Sequence, residues 1–154
     1  MTDSPHDSPA LAPAPAPKRT LAESDRLVRD PQGGMPRLLE IMARLRDPQT
    51  GCPWDIEQDW DSIAPYTIEE AYEVADAIQR RAWDEVKGEL GDLLLQVVYF
   101  AQMGDEQDRF DFDDIANAIA QKMLDRHPHV FGPDRSEKSA DQQTIDWEMQ
   151  KAAE

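Results

Sequence analysis

Five acidic residues at helical spacing form the group in this sequence that could do chemistry. They are Glu69, Glu70, Glu73, Glu89 and Asp92. Residues three or four positions apart share a face of an α-helix, so Glu70 would project together with Glu73, and Glu89 with Asp92. Asp92 leads directly into the apolar segment 93–100, which only Gln96 interrupts, and an unpaired charge would be costly to bury there. These carboxylates therefore need a partner.

A divalent cation is the partner that this pattern favours. If the two helices pair as an antiparallel hairpin, their acids meet, and so many carboxylates cannot all stay ionised at close range without cations. Oxygen ligands without histidine suit Mg²⁺, or Mn²⁺, rather than Zn²⁺. Mg²⁺ usually completes its shell with water and substrate phosphate, so the implied substrate carries phosphates. A solvated acidic face is the alternative for the first motif taken alone.

Composition narrows the classes of partner. The 154 residues include 32 acidic and 16 basic residues, and the formal charge of −16 argues against nucleic acid and against a membrane surface. No apolar stretch approaches the roughly 18 residues of a membrane span. The single cysteine, Cys52, cannot form an intrachain disulfide, which suits a reducing compartment. We therefore expect a cytoplasmic protein with one core.

The chain divides by composition into three parts. Residues 1–34 are rich in proline and alanine and have no sustained apolar periodicity, which predicts a disordered tail. Residues 35–132 carry helical patterning and are predicted to form the folded domain. Residues 133–154 are predicted to be a C-terminal tail that ends in the start of a further helix, at 144–154.

Four amphipathic helices are predicted within the domain. The first spans 36–46, and the second opens at Thr67, where Glu70 completes a capping-box pattern. The third follows a connection at 81–84 and ends near Gly104. The fourth spans 112–126, with Asp111 as its predicted cap.

The third helix is apolar on nearly every side, which indicates burial on more than one face. Four helices leave part of it uncovered, and a second subunit is the simplest cover. The sequence thus predicts an all-α fold of the four-helix-bundle type, completed by homodimerisation. On the fourth helix, Lys122 and Arg126 stand at i and i+4, so both cations project from one face.

Several motifs together resemble the MazG-type all-α nucleoside triphosphate pyrophosphohydrolases. They are GCPWD at 51–55, APYTIEEAYEVADAI at 64–78, GELGDLLLQVV at 88–98, DRFDF at 108–112 and KMLDRHPHVF at 122–131. The resemblance covers about 35–151 and is to the first of the two tandem domains of long members. It implies a homodimer built around a four-helix bundle. It also implies Mg²⁺-dependent conversion of a nucleoside triphosphate to the monophosphate and pyrophosphate, as house-cleaning of the nucleotide pool.

The resemblance also implies roles for single residues. Those that match the family's magnesium ligands are Glu70, Glu73, Glu89 and Asp92. Glu69 is a neighbour able to orient or deprotonate water. Lys122 and Arg126 match the basic pair that grips the triphosphate, and Trp147 resembles a tryptophan near the nucleotide pocket.

Two other functions fit parts of the pattern. A catalytically weak nucleotide-binding and dimerisation module is the first, because some active copies carry a lysine where this chain has Tyr66. A di-iron bundle of the ferritin type is the second. Such sites use Glu-x-x-His pairs, and neither acidic motif here has a histidine at that spacing. The pyrophosphohydrolase remains the leading prediction.

Overall fold

The computed structural model describes residues 18–133 and 137–154, which form eight α-helices and no β-strand. The prediction of an all-α fold is confirmed. The helices are α1 (Leu21–Arg29), α2 (Gly34–Leu45), α3 (Pro53–Glu57), α4 (Trp60–Gln79), α5 (Trp83–Glu106), α6 (Phe112–Arg126), α7 (Pro128–Phe131) and α8 (Ala140–Ala153). The described residues divide into two compact units, and the boundary between Glu40 and Ile41 falls within α2.

The first unit contains a helix where the sequence predicted a disordered tail. Residues 1–17 lie outside the described part of the chain, but Leu21–Arg29 is helical, so the prediction is wrong for that segment. Thr20 caps α1 with a reciprocal pair of hydrogen bonds. Its hydroxyl accepts from the Glu23 amide at 3.2 Å, and the Glu23 carboxylate accepts from the Thr20 amide at 2.9 Å.

In the second unit, α4 begins earlier than predicted. The Asp59 carboxylate accepts from the Ser62 amide at 2.8 Å, and the Ser62 hydroxyl accepts from the Asp59 amide at 2.9 Å. The prediction that Thr67 opens the helix is therefore wrong, and Pro65 lies inside it. Proline removes one backbone hydrogen bond, but the longer helix buries Ile63, which is 2% exposed.

Helices α4 and α5 pair as an antiparallel hairpin, as predicted. The chain turns between them at 80–82, where Arg81 adopts a φ of 59°. The buried apolar side chains of the pair are Ile63, Val74 and Ala77 on α4, and Val98, Tyr99, Ala101 and Met103 on α5. This hairpin forms the main core of the unit and holds the acidic motifs.

Helix α5 continues to Glu106, past the end predicted near Gly104. Gly104 is buried beneath the ring of Phe110, and a Cβ at this position would lie 2.6 Å from that ring. The glycine therefore permits close packing and does not end the helix.

The remaining helices follow the prediction more closely. Helix α6 has the predicted bounds, and the Asp111 carboxylate caps it by accepting from the Asp114 amide at 2.9 Å. The chain then forms the short α7, and α8 begins at Ala140, earlier than the predicted 144. None of the described helices combines the length and apolar character that crossing a membrane requires.

Candidate metal centre

Three carboxylates meet across the α4–α5 hairpin. Glu70 lies on α4, and Glu89 and Asp92 lie on α5. One carboxylate oxygen from each residue lies within 4.8 Å of the other two. Glu70 and Glu89 are partly buried, whereas Asp92 is exposed. We refer to these three residues as the carboxylate cluster.

The cluster concentrates negative charge. The pKa of Glu70 is raised by partial burial, and further by the charges of Asp92 and Glu89. The pKa of Glu89 is raised by partial burial, and further by the charges of Glu73 and Asp92. Arg80 opposes the second shift, but its charge is the smallest of the named influences. A proton and a bound cation would relieve the same repulsion, so the cluster favours either one.

The two other predicted acids lie at the edge of the cluster. Glu73 is exposed and stands one turn after Glu70, and its charge raises the pKa of both Glu70 and Glu89. Glu69 is exposed, and its charge also raises the pKa of Glu70. The structure thus brings three of the five predicted acids to ligand distance and places Glu69 and Glu73 beside them.

The predicted substrate-binding residues gather at a second place, on α6 and α8. Arg126 is 6% exposed, and its guanidinium carbon lies 4.6 Å from the centroid of the Trp147 ring. Its Nη2 donates to the carboxylate of Glu154, while its buried Nε has no hydrogen-bond partner among the residues that the structure describes. Trp147 also packs against the ring of His127, at 6.1 Å between centroids.

Lys122 and Arg126 line one groove of about 380 Å³. The other lining residues are Ala118, Gln121, Asp125 and Glu154. The hydrogen bond from Arg126 lowers the pKa of Glu154, and the charges of Arg126 and Lys122 lower it further. Sequence reasoning missed Glu154, because nothing in a sequence indicates which acid of a C-terminal helix reaches a distant arginine.

The donor set of the cluster fits a hard divalent cation. All three side chains offer carboxylate oxygens, and they converge from two rigid helices. Mg²⁺ is bound through few carboxylates and keeps positions for water and phosphate, which suits the exposed side at Asp92. The groove contains two cationic donors for anionic oxygens, Lys122 and Arg126, beside the carboxylates of Asp125 and Glu154.

Comparison with known proteins relates the chain to one family. Residues 58–131 match the profile of the MazG nucleotide pyrophosphohydrolase domain. A nucleoside triphosphate pyrophosphohydrolase of Escherichia coli K12 is 57% identical over 118 residues, which cover 77% of this chain and 44% of that protein. A protein of Thermotoga maritima named nucleoside triphosphate pyrophosphohydrolase/pyrophosphatase MazG is 47% identical over 95 residues, covering 62% and 37%.

A third relative extends the match along the chain. The nucleoside triphosphate pyrophosphohydrolase of Mycolicibacterium smegmatis is 37% identical over 156 aligned residues, which cover 96% of this chain and 47% of that protein. The chain thus spans less than half the length of each of these three relatives. The matched profile includes α4, α5 and α6, which carry the carboxylate cluster and the basic pair. By its all-α fold and this profile match, the chain contains a MazG nucleotide pyrophosphohydrolase domain at residues 58–131.

Proposed function

We propose that this chain hydrolyses nucleoside triphosphates to nucleoside monophosphates and pyrophosphate with the help of Mg²⁺. The observation that carries the proposal is the convergence of Glu70, Glu89 and Asp92 within 4.8 Å. The names of the relatives support the reaction type. Water forms a new P–O bond, the anhydride between the α- and β-phosphates breaks, and a proton is released. Mn²⁺ is the alternative cation.

The side chains of the proposed site divide the work between them. Glu70, Glu89 and Asp92 would hold the cation, and Glu73 would add a ligand from the next turn of α4. Glu69 would orient the attacking water or accept its proton. When bound, the cation would offset phosphate charge and lower the pKa of the attacking water.

The groove that Lys122 and Arg126 line would supply the other half of the proposed site. Lys122 and Arg126 would bind the triphosphate oxygens, with Arg126 held against the Trp147 ring. Trp147 would lie near the nucleotide. A role in removing unwanted nucleotides is part of the proposal, and so is a cytoplasmic location, which the lone Cys52 suits.

We also propose that the protein is a homodimer. Helix α4 exposes Ile68 and Tyr72 at i and i+4, and Tyr72 is 73% exposed. Helix α5 exposes Leu90 and Leu94 with the same spacing. Two apolar stripes on the central hairpin are a surface that a second copy of the chain would cover.

Pyrophosphate release tests the proposed function. The parent chain is assayed with Mg²⁺ on a panel of canonical and modified nucleoside triphosphates, beside Glu70→Gln and Asp92→Asn. We expect turnover in the parent, and a loss of two or more orders of magnitude in each variant (order-of-magnitude estimate). The matched control is Asp61→Asn, which neutralises an exposed acid of α4 outside the cluster and should keep the parent rate.

The same panel separates the alternatives. Mg²⁺-dependent turnover that is equal in the parent and in both cluster variants would contradict the carboxylate cluster as the catalytic site. Binding of a non-hydrolysable triphosphate analogue without turnover of any natural triphosphate would favour the nucleotide-binding module.

A further inference from the structure

A polar pair lies between α4 and α5, one turn from the carboxylate cluster. The Thr67 hydroxyl donates to the Gln96 side-chain oxygen at 3.4 Å. Gln96 is 8% exposed and is the polar interruption in the apolar run of α5. The pair therefore joins the two helices through side chains that neither the capping prediction nor the apolar pattern explains.

The Thr67–Gln96 pair lies about one helical turn from the carboxylate cluster on both helices. Thr67 stands one turn before Glu70 on α4, and Gln96 stands one turn after Asp92 on α5. Because the helices run in opposite directions, the pair lies on the same side of the cluster on both of them. It is the nearest hydrogen bond between the two helices that the described residues form on that side.

Repulsion within the cluster acts against the close approach of α4 and α5. Like charges on Glu70, Glu89 and Asp92 repel one another and push the two helices apart at this point. The connection at 80–82 lies roughly two and a half turns from both Glu70 and Asp92, so contacts nearer the cluster also influence how each helix is rotated about its axis. Apolar contacts tolerate small rotations better than a directional hydrogen bond does.

We infer that Thr67 and Gln96 are positioning residues that hold Glu70 against Asp92 and so prepare the cluster for a divalent cation. The Thr67 hydroxyl also lies 3.5 Å from the Ile63 carbonyl of its own helix, which restricts its rotamer. A partly buried polar pair in an apolar interface favours one register and one rotation of the two helices. The inference rests on the proposed metal centre.

Binding of Mn²⁺ without nucleotide tests this inference separately from activity. Free Mn²⁺ is followed by electron paramagnetic resonance while the protein is titrated, and stability is followed by thermal unfolding. We expect Gln96→Leu and Thr67→Val each to weaken Mn²⁺ binding about tenfold, the size seen when groups that orient metal ligands are removed. Thr67→Ser keeps the hydroxyl and should bind as the parent does.

Two further variants guard against a merely structural effect. Gln102→Leu makes the same exchange on α5 at a residue that contacts Glu106 and not the cluster, and it should leave Mn²⁺ affinity unchanged. The double variant of Thr67 and Gln96 should bind no more weakly than either single variant, because the pair acts as one unit. Replacing both partners of a hydrogen bond by apolar groups of similar shape can be nearly neutral for stability. Mn²⁺ affinity should therefore fall in the double variant without a matching fall in the unfolding midpoint.

Each outcome decides between named possibilities. Parent-like Mn²⁺ affinity in Gln96→Leu and Thr67→Val would overturn this inference and leave the proposed function standing. So would weaker binding that tracks a lower unfolding midpoint in every variant, Gln102→Leu included. A parent chain that binds no Mn²⁺ would overturn both the inference and the metal centre, whereas a parent that binds Mn²⁺ without hydrolysing nucleotides would contradict the proposed function alone.

Discussion

Glu70 on α4 and Asp92 on α5 place carboxylate oxygens within 4.8 Å of each other, and an oxygen of Glu89 lies within the same limit of both. Two acids on packed helices at this distance repel, and the repulsion contributes to the raised pKa of Glu70. Electrostatic repulsion therefore destabilises the fold at this point, and a bound cation would remove it.

Mg²⁺ should stabilise the folded chain through the cluster. A ligand that binds only the native state at 100 times its Kd raises the free energy of unfolding by about 2.7 kcal/mol. We expect a rise of this order for the parent in thermal or urea unfolding, with ionic strength matched by NaCl, and little rise for Asp92→Asn. Asp61→Asn should respond as the parent does. Equal stabilisation of the parent and Asp92→Asn would place the ion elsewhere.

The stability of the metal-free protein should depend on pH through Glu70. Its pKa is raised above the ordinary 4.5, so the folded state holds this proton to higher pH than the unfolded state does. The favourable contribution is complete below pH 4.5 and is lost as pH rises through the folded pKa. Glu70→Gln should therefore gain stability relative to the parent as pH rises from 4.5, measured by urea unfolding in a chelator. A difference between the two that does not change with pH would contradict this assignment.

Removing the negative charge of Glu154 from the groove should strengthen the binding of anions there. The Glu154 carboxylate accepts a hydrogen bond from Arg126 and is also attracted by the charge of Lys122. It therefore competes with an incoming phosphate for these two cations. We expect Glu154→Gln to bind inorganic triphosphate roughly two- to fivefold more tightly in calorimetry, the range of a partly exposed ion pair. Glu148→Gln, which breaks an exposed pair with Lys151 on the same helix, is the matched control. Unchanged affinity in Glu154→Gln would show that Glu154 does not compete with phosphate for Arg126 and Lys122.

A charge within the apolar stripe of α5 should separate the proposed dimer. Leu94 is exposed on α5, and Leu94→Glu would bring a carboxylate to a surface covered by a second copy. We expect sedimentation velocity to give a dimer for the parent and a monomer for this variant. Met149→Glu changes an exposed apolar residue of α8 instead and should remain dimeric. A parent that sediments as a monomer would refute the dimer.

Local patterns in the sequence predicted the central hairpin and its acids well. The antiparallel pairing of the two helices brings Glu70, Glu89 and Asp92 together, as their spacing predicted. On α4, however, Ile63, Val74 and Ala77 are the buried apolar residues, whereas Ile68 and Tyr72 are exposed. The spacing of Lys122 and Arg126 likewise predicted that both side chains would project from one face of α6, and both line the same groove.

Competing local signals and distant contacts account for the differences. Thr67 and Asp59 both carry capping patterns, and burial of Ile63 favours the earlier start, a tertiary effect that the pattern does not contain. The same change turns Thr67 from a cap into a partner of Gln96. The pairing of Arg126 with Glu154 joins residues that are far apart in the chain, so no spacing rule could predict it.

Product analysis tests the central claim most directly. The parent chain is incubated with a nucleoside triphosphate and Mg²⁺, and phosphorus-31 nuclear magnetic resonance follows the products, beside Asp92→Asn and a sample in chelator. We predict nucleoside monophosphate and pyrophosphate in equal amounts from the parent alone. Nucleoside diphosphate with inorganic phosphate, or the same products at the same rate from Asp92→Asn, would contradict the account of Glu70, Glu89 and Asp92 as a pyrophosphohydrolase centre.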